Sequence, residues 1–239
     1  MIAIAKKTVR ELAVELPNAA RVFEKLGIDY CCGGDLPFRK ACEKAGLDPE
    51  KVVASIADAP YEPTPAQNWS KSPLAALARH IVEKHHSYTR SELGRLGPLF
   101  DKLCSAHKDR YPELAQMRSV FQALRAELES HMMKEENILF PYLGAMEQAA
   151  IAGRPIPSPM FGTVQNPVRM MMLEHDSAGE ALRELREASR DYSLPADACA
   201  SYSELFRSLQ AFEADLHTHI HLENNILFPR ALAMEAAAA

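Results

Sequence analysis

The stretch His131-Met-Met-Lys-Glu135-Glu-Asn-Ile-Leu-Phe-Pro141 returns almost verbatim as His219-Ile-His-Leu-Glu223-Asn-Asn-Ile-Leu-Phe-Pro229, 88 positions further along. In each copy a His and a Glu stand four residues apart, which on a helix puts both side chains on one face, one turn from each other. Outward from this pair, Val120, Leu124, Leu128, His131, Glu135, Ile138 and Tyr142 follow in steps of three and four, as do Leu209, Phe212, Leu216, His219, Glu223 and Ile226. That is the apolar stripe of a core-facing helix, with His and Glu where Leu would otherwise sit. An uncompensated carboxylate at such a position costs on the order of several kcal/mol. Neither stripe carries Lys or Arg, so the pattern calls for a cation from outside the chain.

If the second half repeats the first, the partner helix of each pair should offer ligands at matching offsets. Glu174-His175-Asp176 places His175 44 residues before His219, and His86 lies 45 before His131. Leu93 and Leu182 each follow their histidine by seven residues. The stripe Val168, Met172, His175, Leu182 and Leu185 points His175 inward. In the first half Leu74, Ala78 and Ile81 extend more naturally to His85, whereas Val82 and Leu93 favour His86; the repeat offset selects His86. A lone histidine on an apolar face is more often a hydrogen-bonded core residue than a ligand. Two His-x-x-x-Glu pairs at core positions, with two further histidines at the repeat offset, argue for a ligand set. His80, His107, His217 and His221 lack such placement and read as surface residues or supports. Met132, Met133 and Met170 to Met172 read as core filler, and the charged run 183–190 as a solvated face.

Four imidazoles and two carboxylates exclude calcium and magnesium, which prefer oxygen shells, and supply no thiolate of the kind structural zinc sites favour. Iron, manganese or cobalt remain. Six side chains exceed one tetrahedral ion, and the two-fold repeat predicts two ions, each with two His, joined by Glu135 and Glu223. Their donor atoms fill only part of the roughly ten to twelve positions of two five- or six-coordinate ions. The remainder can take an oxo or hydroxo bridge, dioxygen or nitric oxide.

With 239 residues and 47% hydrophobic content, the chain can bury a full core plus a smaller one. Lys+Arg 27 against Asp+Glu 32, a net charge of −5 with no basic block, argues against nucleic acid or an anionic membrane as partner. No apolar run reaches the length of a membrane span, and the N-terminal Met-Ile-Ala-Ile-Ala-Lys-Lys reverses the order of a secretory signal. A cytoplasmic location is expected. Few residues favour strands, so the expected fold is all-α, a four-helix bundle with a small N-terminal helical domain.

Thr8-Val-Arg-Glu11 is a capping box, Pro17 suits a break, Gly27 a helix stop, and Asp48-Pro49-Glu50 a helix start. A helix is expected over 36–45, and Gly33 and Gly34 are expected to supply positive φ. Pro60, Pro63 and Pro65 mark a linker, giving domains over 1–60 and 73–239 with the linker at 61–72. Ser72-Pro73 offers an N-cap and first-turn proline. Long helices are expected over 73–102, 112–147, 167–192 and 197–234, with residues 235–239 a frayed tail. Five cysteines, an odd number, do not suggest a disulfide framework. The adjacent Cys31 and Cys32 sit in a glycine-bounded turn near an expected helix start, where amides would stabilise a thiolate able to exchange electrons or hold iron in transit. Cys42, Cys104 and Cys199 are assigned to packing.

The two His-to-Pro motifs, Glu174-His175-Asp176, and Tyr30-Cys31-Cys32-Gly33-Gly34 ahead of them together resemble the repair-of-iron-centres proteins, over nearly the whole chain. The resemblance implies a hemerythrin-like bundle holding two non-haem iron ions on His86, His131, His175 and His219, with bridging Glu135 and Glu223. It also implies a bacterial cytosolic stress protein that restores iron–sulfur clusters damaged by nitric oxide or oxidants, by donating iron. Its partners would be damaged iron–sulfur proteins, nitric oxide or dioxygen, and a second copy of the chain as a candidate. His85 departs from the family pattern, in which an aromatic residue is expected beside the ligand; it stands as a candidate extra ligand. Two other readings compete: reduction of nitric oxide at the same centre, and a hemerythrin-like module that carries or senses a diatomic ligand.

Overall fold

The computed structural model describes residues 7–16, 18–59, 69–107 and 110–238. Pro17 and Pro60, Pro63 and Pro65 of the expected linker lie outside them. Four short helices come first: α1 (Val9–Glu15), α2 (Ala19–Leu26), α3 (Phe38–Lys44) and α4 (Pro49–Asp58). Thr8 and Glu11 form the capping box of α1, Gly27 ends α2 in the left-handed region, and Asp48 caps α4 through the Glu50 amide. Their core gathers Leu12, Phe23, Phe38, Cys42 and Val52.

Four long helices follow. α5 runs over 74–107, α6 over 113–151, α7 is Gln165–Ala188 and α8 runs over 200–238. α6 packs on α5 and α7, and α8 on α5. No helix among the described residues is long and apolar enough to cross a membrane. Two apolar cores fill the bundle, one around Phe100, Phe121, Tyr202 and Phe212, the other around Leu77, Ile81, Leu143 and Phe228.

Three of the long helices widen into a π turn: Ile81–His86 in α5, Glu135–Leu139 in α6 and Glu223–Leu227 in α8. In α6 and α8 the repeated proline accounts for it. Pro141 and Pro229 have no N–H to return to the preceding turn, and their rings crowd the carbonyl four residues back. The chain widens instead, with the Phe140 amide reaching back to Glu135 O and the Phe228 amide to Glu223 O. One extra residue per turn shifts the stripe. Ile138, expected inward, is 52% exposed, and Leu139 takes its place at 1%. The same device resolves the ambiguity in α5: one wide turn carries Ile81's face to His86.

Several helix ends differ from expectation. α7 stops at Ala188 rather than 192 because Arg190, Asp191 and Tyr192 all adopt left-handed φ. The N-cap of α5 is Pro73 rather than Ser72, and the buried Glu147 carboxylate accepts the Leu74 and Ala75 amides. The expected frayed tail is helical to Ala238, and Glu235 accepts the Val164 amide at the start of α7. Gly33 and Gly34 do not have positive φ. Gly34 is needed for space, since a Cβ there would lie 3.1 Å from Arg10 Cβ and 3.2 Å from Tyr30 O.

The short helices sit on the π turn of α8. Asn225 Nδ2 donates to Tyr30 O at 2.8 Å and bonds His221 Nδ1 at 2.7 Å, while Asn225 Oδ1 accepts Arg10 Nε at 2.7 Å. His217 meets Glu24 at 2.9 Å. His217 and His221, expected at the surface or as supports, instead fasten the N-terminal helices to the bundle. Replacing Asn225 with Ala strands buried partners that each need a hydrogen bond. It should destabilise the protein by about 2–3 kcal/mol in chemical denaturation and open the segment around residue 30 to limited proteolysis.

Candidate metal centre

Between the two apolar cores, the inward faces of all four long helices converge on one point. His86 closes the π turn of α5, Glu135 and Glu223 open those of α6 and α8, His131 and His219 stand one turn earlier, and His175 projects from α7. All six are buried, the two glutamates completely. Their donor atoms form two groups, His86, Glu135, His219 and Glu223, and His131, Glu135, His175 and Glu223, each within 4.8 Å.

The two carboxylates belong to both groups. Glu223 turns Oε1 to His219 Nε2 at 3.0 Å and Oε2 to His175 Nε2 at 3.1 Å. Glu135 Oε2 lies 3.3 Å from both His86 Nε2 and His131 Nε2. Neither Glu135 oxygen has an aligned hydrogen bond, nor has Glu223 Oε2. The imidazoles also face one another: His86 and His219 bring Nε2 atoms to 3.2 Å, His131 and His175 to 3.1 Å. Two nitrogens bound about 2.1 Å from one ion stand about 3.0–3.4 Å apart, so each pair has the spacing of neighbouring ligands. Orphaned carboxylate oxygens and facing nitrogens fit cations in both groups.

The rings are aimed by their outer nitrogens. Glu136 accepts from His86 Nδ1 at 2.6 Å, Glu174 from His131 Nδ1 at 2.8 Å, and Asn224 Oδ1 from His175 Nδ1 at 2.8 Å. An N–H held at Nδ1 leaves the Nε2 lone pair for a metal. Phe140 and Phe228 of the repeated motif stack on His86 and His175 at 5.9 and 6.1 Å. The halves differ at one support. His85 occupies the place that Glu174 holds in the second half; it is buried, stacks on His219 at 5.8 Å and bonds Asp215 at 3.0 Å. His219 Nδ1 consequently has no partner, and His85 does not join either ligand group.

Without a cation the field of the site is that of paired opposite charges. Burial opposes ionisation of Glu135 and Glu223, yet the facing histidines hold both carboxyls below the usual range. Burial likewise opposes protonation of His131, and Glu135 outweighs it, raising His131 to about 10. The hydrogen bond from His131 pulls Glu174 down to about 2. His131 would have to give up its Nε2 proton for a cation to be held there.

Cys31 and Cys32 lie against this centre. Cys32 Sγ is 3.5 Å from His175 O, and Asn224 Nδ2 reaches Cys31 O at 3.4 Å. Cys31 is buried and packs into the bundle core. Cys31 and Cys32 lie in the turn ahead of α3, which starts at Phe38, and their amides are taken up by Asp29 Oδ1. The hydrogen bond with Cys32 is the largest cause of a Cys31 pKa well above the ordinary value, followed by burial and the Asp29 charge. Cys42 is buried as expected, Cys104 is half-buried, and Cys199 is exposed rather than packed. Met132 and Met171 fill the core, whereas Met133 and Met170 are exposed. Within the charged run, Arg186 is drawn to the buried Glu213 at 2.9 Å.

Glu136, Asn224 and Asp29 were missed in the sequence. The repeat could have found the first two, because Glu136 and Asn224 occupy equivalent positions in it.

A bundle with this shared set of imidazoles and carboxylates on its axis defines a hemerythrin-like cation-binding protein. The family model described as hemerythrin HHE cation binding domain matches residues 77–231, and one described as a domain of unknown function (DUF542) matches residues 5–60. The chain belongs to the family of the iron–sulfur cluster repair proteins, as its relatives show. It is 34% identical to "Iron-sulfur cluster repair protein YtfE" of Musicola paradisiaca over 97% of this chain and 98% of that protein. The protein of the same name from Pectobacterium carotovorum is 32% identical over 98% and 100%, and that of Escherichia coli K12 34% identical over 94% and 96%.

Removing an outer hydrogen-bond partner commonly costs 10–100-fold in metal affinity. Glu174→Ala should therefore weaken ferrous binding about 10–100-fold at the His131 side, read by titration with a competing chelator, while the helical content measured by circular dichroism stays unchanged.

Proposed function

We propose that this chain is a cytosolic iron–sulfur cluster repair protein that keeps two non-haem irons on His86, His131, His175 and His219, bridged by Glu135 and Glu223, and supplies iron to damaged iron–sulfur proteins. The observation that carries this reading is the reach of each buried glutamate to one histidine of both groups. One carboxylate serving two histidine pairs suits two ions and is wasted on one. The names of the relatives, which cover nearly the whole chain, support the repair role.

Iron at such a centre supplies redox chemistry and coordination positions open to a small exogenous ligand, nitric oxide or dioxygen. The chain's own part is to hold the nitrogens and oxygens converged, to neutralise them with outer acids, and to keep bulk water out by the cores on either side. The resulting shell is rich in carboxylate and imidazole and poor in thiolate, so it holds ferrous iron without locking it in a cluster.

Protein purified from iron-fed cells should contain two irons per chain, and Glu135→Ala/Glu223→Ala neither, by metal analysis. Iron-loaded wild type should restore activity to a nitric-oxide-treated cluster enzyme, and His131→Leu/His219→Leu should not. Equal rescue by both would refute the repair reading, and steady nitrous oxide production under anaerobic turnover would replace it with nitric oxide reduction.

A further inference from the structure

Apart from the buried centre, the turn that leads from α2 toward α3 carries a second convergence of metal-ligating side chains. Asp29, Cys31 and Cys32 each offer a donor atom, and the three lie within 4.8 Å of one another. Two of their separations are those of a coordination shell. The Sγ atoms of Cys31 and Cys32 stand 3.9 Å apart, and Cys31 Sγ is 3.5 Å from Asp29 Oδ1. Around one tetrahedral ion, with thiolates at about 2.3 Å and a carboxylate oxygen at about 2.0 Å, those edges come to about 3.8 and 3.5 Å.

The turn is fixed independently of any ion. Asp29 Oδ1 accepts the amides of Cys31 at 3.2 Å and Cys32 at 3.0 Å, an Asx turn that folds the carboxylate over both thiols. On the bundle side, Cys32 faces Gly179 of α7, its sulfur 3.4 Å from where a Cβ would stand. Asp29, Cys31 and Cys32 line a cavity of about 730 Å³ between the N-terminal helices and the bundle, together with Asp176, Glu180 and Arg183. The cavity provides an approach for a cation and room for a fourth ligand.

We propose that Asp29, Cys31 and Cys32 form a separate site for a thiophilic divalent cation, at the wall of this cavity and next to the buried centre. Binding forms two metal–thiolate bonds and one metal–carboxylate bond, and releases the two S–H protons to solvent. The oxidation state of the metal does not change. The site adjoins the buried centre: Cys32 Sγ lies 3.5 Å from His175 O, and Asn224 joins Cys31 O to the His175 ring. The geometry makes it a station between the cavity and the bundle for the ion that the centre uses. That this ion is ferrous iron rests on the function proposed above; the existence of the site does not.

Cobalt(II) titrated anaerobically into the full-length, reduced protein tests this. Wild type should develop a thiolate-to-cobalt charge-transfer band and bind one ion beyond those of the His/Glu centre. Cys31→Ser/Cys32→Ser should lose the band and that ion while keeping the cobalt at the His/Glu centre, whose retention reports an intact fold. Asp29→Asn keeps both thiols and should weaken the additional ion tenfold or more. Absence of the band in wild type, its persistence in the double variant, or wild-type affinity in Asp29→Asn would overturn the proposal. Should the band appear while the His/Glu centre takes up no cobalt, the reading of that centre fails and the cavity site stands.

Discussion

Two glutamates with no exposed surface, set among four imidazoles on the axis of a helical bundle, impose the constraint that the rest of the structure serves. Burying carboxylates is tolerable only if positive charge meets them at short range. His131 provides it as a proton in the protein alone, and metal ions can provide it more strongly. Everything nearby keeps this cluster converged. The apolar cores clamp it from both sides, the π turns set its residues on one level, and Phe140 and Phe228 brace two of the rings.

The duplication is close at the six converging residues and loose at their supports. Glu136 and Asn224 occupy equivalent positions and each orients a histidine of its own half. Glu174 and His85 also correspond, but only Glu174 can accept from the histidine opposite it, which leaves His219 without an outer partner. Asn137 and Asn225 diverge further. Asn137 bonds back to its own helix at Met133 O, whereas Asn225 holds Tyr30, His221 and Arg10. The face of α8 that meets the N-terminal helices thus uses residues whose counterparts on α6 are exposed.

That docking changes the chemistry of the adjacent cysteines. A turn that would be open to water in isolation is pressed onto α7 and α8, and Cys31 joins the core of the bundle. The hydrogen bond with Cys32, burial and the neighbouring Asp29 then favour the neutral thiol, so a cation, and not a helix terminus, is what would draw out its thiolate. The polar contacts that seat the turn run through Asn224 and Asn225, beside Glu223 itself.

The sequence by itself determined the all-helical class, the four amphipathic stretches, the repeated His-x-x-x-Glu pairs and the six residues that converge, because helical periodicity and a charged residue in an apolar stripe are local signals. It also carried the capping box at Thr8 and the stop at Gly27. Only the tertiary structure decided the rest. Ile138 faces outward because a π turn breaks the 3.6-residue count that placed it inside. A widening that α5 carries without a proline is what lets Ile81 and the repeat-selected His86 share one face. Glu147, Glu235, Asn224 and Asn225 find their partners on other helices, and Asp29 meets two thiols only when its turn closes. Such contacts depend on which elements pack together in three dimensions, and no periodicity along a single helix encodes them.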